Sequence, residues 1–321
     1  MGGDSSGRTL RTLLEPRWLP GYRPSWIPSD ALAGAIVAAL MIPQALGYAA
    51  IAGVPVQVGL YAIPLALLAY AILGTAPNLV VGPASTVAVV SGSIVAGTAV
   101  AGSSEAITLT AGLAVIAGTG LVVAGALRLG WMAEFLSKPV ITGFVFGLAV
   151  TIVAGEVPSL IGVKATGTAF PPKTWSTIQH IGDAKAWTAG VAVVSLTILF
   201  GGTRISRRLP WGLLLLVVAV VAQHVLDLEG HGVKLVGEVP AGLPQPTIPM
   251  IDSSDVGVAL TGGTLLALVG LAEGLSAARL FGQRGGYEVD TDRELVAFGA
   301  SNIAAGLAGG FAVAGSLSKT A

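Results

Sequence analysis

The stretch VVGPASTVAVVS, residues 80–91, is apolar enough to lie inside a membrane, yet it carries Gly82 and Pro83 followed by the hydroxyls of Ser85 and Thr86. A second stretch, GSLSKTA, residues 315–321, has the same character. Read as two half-helix starts, Pro83-Ala84-Ser85-Thr86 and Ser316-Leu317-Ser318-Lys319 aim unpaired backbone N–H groups at one spot between them. Such a pair of helix starts binds an anion with little formal charge.

Working outward, 53% of the residues are hydrophobic and only 11% charged, which excludes an ordinary soluble domain and reads as a multi-pass membrane protein. Cysteine is absent, so disulfides and thiolate metal sites are excluded. Residues 1–28, with four arginines and two tryptophans before the first long apolar run, are too polar for a cleavable signal peptide. They read as a cytoplasmic arm with Trp18 and Trp26 as an interfacial anchor.

Apolar runs of spanning length fall at 30–52, 58–75, 83–100, 106–127, 132–154, 186–202, 210–227, 256–278 and 293–311, and a tenth has begun where the sequence stops. With the N-terminus inside, alternation puts Arg8, Arg11, Arg17, Arg23, Arg128, Lys138, Arg204, Arg207, Arg208, Arg279, Arg284 and Arg293 on the inner side. Only Lys164, Lys173, Lys185 and Lys234 fall outside, as the positive-inside rule requires, with Lys319 set aside as a site residue. The outer connections 156–186 and 227–255 are rich in Pro, Gly and Asp and read as solvated.

A weak internal repeat is present. Gln44 and Glu273 are polar residues inside spans 229 positions apart, and Ser85 and Ser316 lie 231 positions apart in the same order. Spans one to three and eight to ten are therefore read as counterparts. Seven spans per half, an odd number, make the second half inverted. On this reading residues 29–228 form the first repeat, with helices 1–4 in a core and 5–7 in a gate, and 229–321 begin the second.

Glu273 is the acid deepest in a span, where an ionisable group is expensive unless it has a partner, a cavity or a proton. It is either a neutral acid hydrogen-bonded in the bundle or a proton-coupling site. Gln44 and Tyr48, spaced i and i+4, share one face of the Pro43-containing helix, where they either line a pocket or bond to a neighbouring helix. Lys319 follows two hydroxyls at a presumed helix start and is read as an anion ligand ahead of a snorkelling lysine. The mixed-sign run RLFGQRGGYEVDTDRE, residues 279–294, reads as a solvated inner loop, and its glycine pair lacks the context of a phosphate loop. Arg204, Arg207 and Arg208 read as a topology determinant, with contact to anionic lipid as the weaker alternative. His180, His224 and His231 lack ligand spacing, so no metal, and no cofactor, is expected.

The segments IPQALGYAAIAGVPVQVGLYA (42–62), VGPAS (81–85), Glu273 with DTDRELVAFGASNIAAGLAGG (290–310), and GSLSKTA resemble the SulP family of sulfate permeases and related anion exchangers. The resemblance spans nearly the whole chain after Pro28. It implies an all-α membrane protein of fourteen segments in two inverted seven-segment repeats, split into core and gate and followed by a cytoplasmic STAS domain. It also implies an anion held between the third and tenth helices. Gln44 and Tyr48 would face it from the first helix, Ala84, Ser85 and Thr86 from the third, and Ser316, Leu317, Ser318 and Lys319 from the tenth. Glu273 falls where proton-coupled relatives have a glutamate. Ala277 stands where sodium-coupled relatives have a threonine, which disfavours sodium. Lys319 occupies a place often held by Arg, giving a point charge without a bidentate fork.

The expectation is a secondary active transporter in the cell inner membrane, N-terminus cytoplasmic, moving sulfate with protons and dimeric at full length. It would contact membrane lipids and no nucleic acid, and it is not expected to be an enzyme. Transport of bicarbonate, dicarboxylate or chloride on the same fold, a nucleobase permease, and a non-transporting anion sensor are the alternatives. Because the sequence ends where the tenth helix begins, residues 1–321 are read as the N-terminal part of a longer permease that would not catalyse uptake alone.

Overall fold

The computed structural model describes residues 16, 19–134, 138–163, 165, 170–206, 209, 211–235, 239, 242–244 and 246–320. Most of the N-terminal arm, including Trp18, and Lys164, Arg207 and Arg208 lie outside them. The chain enters α1 (Ile27–Ile51) through a 3₁₀ turn, inside the stretch read as the arm. Pro28 in the first turn forfeits only an N–H with no helical partner, and Asp30 there complements the helix dipole. The helix stops at Gly53, whose φ of +75° is the left-handed conformation favoured by glycine. The Gly53 N–H then donates to Ala50 O at 3.2 Å and the Val54 N–H to Ala49 O at 3.0 Å, the two closing bonds of a Schellman cap.

The second expected span is two helices, α2 (Val56–Tyr61) and α3 (Pro64–Leu73). Pro64 has no N–H to continue the ladder. The break brings the Ala62 backbone close to Gly310, where an added Cβ would stand 2.6 Å from Ala62 Cα. The third expected span begins two residues late: β1 (Val81–Pro83) precedes α4 (Ser85–Thr98). Ser103 then caps α5 (Ser104–Ala126), its Oγ accepting from the Ala106 N–H at 3.1 Å.

There follow α6 (Lys138–Ile161), α7 (Phe170–Gln179), α8 (Ala186–Ile205), α9 (Trp211–Leu226), α10 (Val256–Gly285), α11 (Thr291–Leu307), β2 (Val313–Gly315) and the four-residue α12 (Leu317–Thr320). Five helical stretches among the described residues, Pro24–Ile51, Val56–Leu73, Ser104–Ala126, Ala186–Ile205 and Val256–Gly285, are long and apolar enough to cross a membrane.

The chain forms two compact units. The first comprises Met1–Ala33, Ala45–Lys138 and Gly242–Ala321, and the second comprises Gly34–Gln44 and Pro139–Ala241. In the first, α11 packs against α5 and α3, and α10 against α5, α4 and β2. The α5–α11 pair is antiparallel and joined backbone to backbone through glycines. A Cβ on Gly299 would stand 2.6 Å from Gly118 O, one on Gly306 2.6 Å from Ala111 O, and one on Gly125 2.6 Å from Asp292 O. Small residues at such crossings are how helices associate where lipid removes the hydrophobic drive. Gly299→Leu is therefore expected to lose most of the folded, monodisperse protein in detergent, a larger penalty than the ~1–3 kcal/mol of ordinary overpacking. Gly97→Ala, at a position with open space, should leave the thermal midpoint unchanged; equal midpoints for both variants would refute the close-packing account.

In the second unit α8 and α9 pack together, with Gly202 against the Trp211 ring and Trp211 Nε1 donating to Ser206 O at 2.8 Å. Val193, Val194 and Phe200 of α8 and Val217, Val221 and Val225 of α9 are exposed, as suits helices bathed in lipid.

Two connections differ from expectation. The segment read as a solvated link at 156–186 contains α7, which buries Ser176 and Thr177. The link at 227–255 ends packed into the first unit. There Ile251 lies against Gly112 and the Thr247 N–H donates to Leu307 O at 2.8 Å.

Candidate functional site

The site is built where the two stretches quoted first come together. β1 and β2 pair antiparallel in the register Val81↔Gly315, Gly82↔Ala314 and Pro83↔Val313. Val81 and Val313 begin the strands and Ser85 and Leu317 the helices that follow, in each case 232 positions apart. Both strands are fully buried, so their ladder satisfies backbone groups that lipid could not.

Around this crossing the first unit gathers Tyr48, Ser85, Thr86, Glu273 and Lys319. The Lys319 side chain is 7% exposed; its Nζ donates to Pro83 O and lies 5.7 Å from the centre of the Tyr48 ring, a cation–π contact. The Tyr48 hydroxyl lies close to the Ser85 side chain. Thr86 Oγ1 donates to Glu273 Oε2, which lies near enough to Lys319 for the two charges to act on one another. Ala84 precedes α4 without a side-chain cap, so the N-cap residue itself supplies no acceptor for the amides of that helix's first turn. A buried ammonium with three donors thus sits beside a helix start.

Not every expected ligand is available. The Ser316 N–H, read as unpaired, donates to Val80 O at 3.1 Å, continuing the ladder by one rung. Ser316 and Ala84 are both buried. Leu317 and Ser318 lie in α12, and their side chains are outside the described set. Gln44, one turn before Tyr48 on α1, groups with the second unit and is not among the residues gathered in the first; its Oε1 is buried without a partner among the described residues.

Two residues that hold this crossing were not singled out by the sequence reading. Asn302 Nδ2 donates to Phe298 O at 2.9 Å and Val313 O at 3.0 Å, and its Oδ1 accepts from the Val313 N–H at 2.9 Å. The amide therefore supplies the strand pairing that β2 lacks on its free side. A lone Asn in an apolar run was the available signal.

Glu294 was assigned to a solvated loop, yet it is 0% exposed. Its Oε1 accepts from the Thr75 N–H at 2.5 Å, the Thr75 hydroxyl at 2.6 Å and the Ala76 N–H at 3.1 Å, and its Oε2 accepts from the Tyr70 hydroxyl at 2.8 Å. Glu294, Phe298 and Asn302 recur at i, i+4 and i+8 and so share one face of α11. Phe298 stacks on Tyr70 with ring centres 5.6 Å apart. One helix face thus clamps both the loop leading into β1 and β2 itself.

The rest of that run is also ordered. Residues 279–285 are the last turns of α10, and Gly286, at φ +69°, caps it. Asp290 caps α11 by accepting from the Arg293 N–H at 3.2 Å, and Asp292 Oδ1 accepts from the Gly130 N–H at 2.8 Å.

With this geometry in view, comparison with known proteins is direct: the profile of the sulfate permease family matches residues 27–321. The chain belongs to the sulfate permease family.

A probable sulfate transporter of Mycobacterium tuberculosis is 34% identical over 318 residues, which cover 97% of this chain and 57% of that protein. One from Arabidopsis thaliana is 30% identical, over 95% of this chain and 51% of the relative. This permease chain therefore spans about half the length of such relatives.

Murine Slc26a9, an anion transporter solved in the inward-facing state, matches with a TM-score of 0.89 at 22% identity, over 99% of this chain and 56% of that one. The transmembrane domain of the cyanobacterial bicarbonate transporter BicA matches at 0.81 and 21% identity, over 93% and 77%. At that identity the likeness fixes the fold. The permease chain is an integral membrane protein with the helical transporter fold expected from its sequence.

Proposed function

We propose that this chain carries the anion-binding part of a secondary active transporter whose cargo is a small oxyanion, sulfate first, moved with protons by alternating access. The observation that carries the reading is the buried Lys319 ammonium at the β1–β2 crossing, beside the start of α4 and within reach of Glu273. Ser85, Thr86 and the backbone from Ala84, Leu317 and Ser318 complete the anion's surroundings, with Tyr48 contributed by α1. The relatives from Mycobacterium tuberculosis and Arabidopsis thaliana, both probable sulfate transporters, favour sulfate over bicarbonate, dicarboxylate or chloride.

The hydrogen bond from Thr86 suggests how proton and anion are linked. An ionised Glu273 holds the Thr86 hydroxyl by a charge-assisted bond and adds a negative charge to the pocket; a protonated one holds it more weakly and removes the charge, and both changes favour an anion. Ala277, one turn on and fully buried, offers no side-chain oxygen for sodium.

The grouping of residues 45–138 with 242–321 supports a core that includes helices of both repeats, and the grouping of 139–241 supports a gate, although residues 34–44 of α1 group with the latter. The full protein would sit in the inner membrane as a homodimer, with its N-terminus cytoplasmic.

The test uses full-length protein in vesicles, with labelled sulfate uptake competed by a panel of anions at two pH values. Sulfate uptake should accelerate as the pH on the loading side falls. Glu273→Gln, a permanent mimic of the neutral acid, should flatten that dependence. Unaltered pH dependence in Glu273→Gln would remove Glu273 from the coupling, and selective competition by bicarbonate or chloride would reassign the cargo.

A further inference from the structure

Helix α7 is amphipathic in the wrong sense for water. Its hydroxyl residues face inward, Ser176 at 5% and Thr177 at 6% exposure, while Trp175 is 64% and Ile178 55% exposed. Ile181, in the turn that follows, is 62% exposed. A helix bathed in water turns its apolar stripe toward the protein; this one turns it away.

The ends of the excursion that carries α7 are fixed at one level. The Lys185 N–H, just before α8, donates to Ile161 O at the end of α6 at 2.9 Å. At Gly162 a Cβ would stand 3.1 Å from both Lys185 Cβ and Thr188 Cβ. The chain thus leaves α6 and enters the membrane-spanning α8 at the same place. Nor does α7 rise clear of that level. Lys173 Nζ lies 3.9 Å from where a Cβ on Gly155 would be, six residues before the end of α6, or about 9 Å down the helix at 1.5 Å per residue. Trp187, in the first turn of α8, is also exposed. Trp175 and Trp187 therefore mark the same boundary, where indoles concentrate between headgroups and acyl chains.

We propose that α7 is an interfacial helix whose Trp175–Ile178–Ile181 face lies in the lipid boundary at the junction of α6 and α8, holding that junction at fixed depth. The occupant of the face is lipid. Its apolar side chains match the acyl boundary, and Lys185 stands at the junction itself, as cations do beside headgroups. The inference rests on the membrane placement of the chain and not on its cargo.

Residues 1–321 contain no cysteine, and any cysteine elsewhere in the full-length protein is replaced by serine before labelling. Trp175→Cys, Ile178→Cys, Thr177→Cys and Asp183→Cys are made singly in the full-length protein, labelled with a nitroxide and reconstituted in phosphatidylcholine vesicles. Collision with oxygen, which partitions into lipid, is compared with collision by a water-soluble nickel chelate. Labels at 175 and 178 should show a higher oxygen-to-nickel ratio than the label at 183, and the label at 177 should be shielded from both. Free access of nickel to 175 and 178 would overturn the proposal by putting the face in water. Shielding of those two positions from both reagents would overturn it by putting protein there, whether a second copy or another part of the chain. Two independent exposed positions keep the result readable if one variant folds poorly.

Discussion

Lys319→Met in the full-length protein is expected to lower the apparent affinity for the transported anion by ~10- to 100-fold, because a hydrogen bond from a charged donor contributes about 1.5–3 kcal/mol. The Lys319 ammonium is buried, held by Pro83 O and the Tyr48 ring, and Met preserves much of its volume and none of its charge. Lys319→Arg should recover part of the loss. The guanidinium keeps the charge but is broader and flatter than the point charge that fits beside β1. The measurement is initial uptake against anion concentration, with the amount of folded transporter determined in parallel. Met and wild type giving the same concentration dependence would show that Lys319 is a packing residue only.

The second large effect falls on stability. Glu294→Ala removes the acceptor of four hydrogen bonds, leaving two Thr75 donors, the Ala76 amide and the Tyr70 hydroxyl without their partner in a site closed to solvent. Each buried donor left unsatisfied costs about 1–3 kcal/mol, so a loss of at least ~3 kcal/mol is expected even after relaxation. Glu294→Gln, which keeps one carbonyl oxygen for the Thr75 and Ala76 amides, should lose markedly less. Thermal unfolding of the purified protein in detergent reads both. A Glu294→Ala protein with an undiminished midpoint would mean that the clamp on the loop before β1 carries little of the fold.

The character of the site was legible in the sequence because it is written in local chemistry: a Gly-Pro break followed by hydroxyls at 82–86, and a lysine in an apolar setting at 319. The spacing between the two stretches carried the repeat as well. What local chemistry does not contain is pairing at a distance. Nothing in residues 80–91 states that they form a strand against 313–315, and that pairing is what engages the Ser316 N–H.

Glu294 was misread for the same reason. Its neighbours in sequence are charged and mark the end of a span, while its partners Tyr70, Thr75 and Ala76 lie more than 200 residues away. The reversed amphipathicity of α7 is a further case. Composition alone gives Pro, Lys, Thr and Ser a solvated reading, and only the fold shows which of them turn inward.

The central claim is that the anion sits at the β1–β2 crossing beside Lys319, and locating a heavy isostere tests it directly. Full-length protein bound to selenate, the selenium analogue of sulfate, is crystallised and the anomalous selenium signal mapped. The expected result is a single strong peak within hydrogen-bonding distance of Lys319 Nζ, facing the start of α4, and its disappearance in Lys319→Met. A peak elsewhere in the membrane domain, or one that persists unchanged in Lys319→Met, would contradict the site.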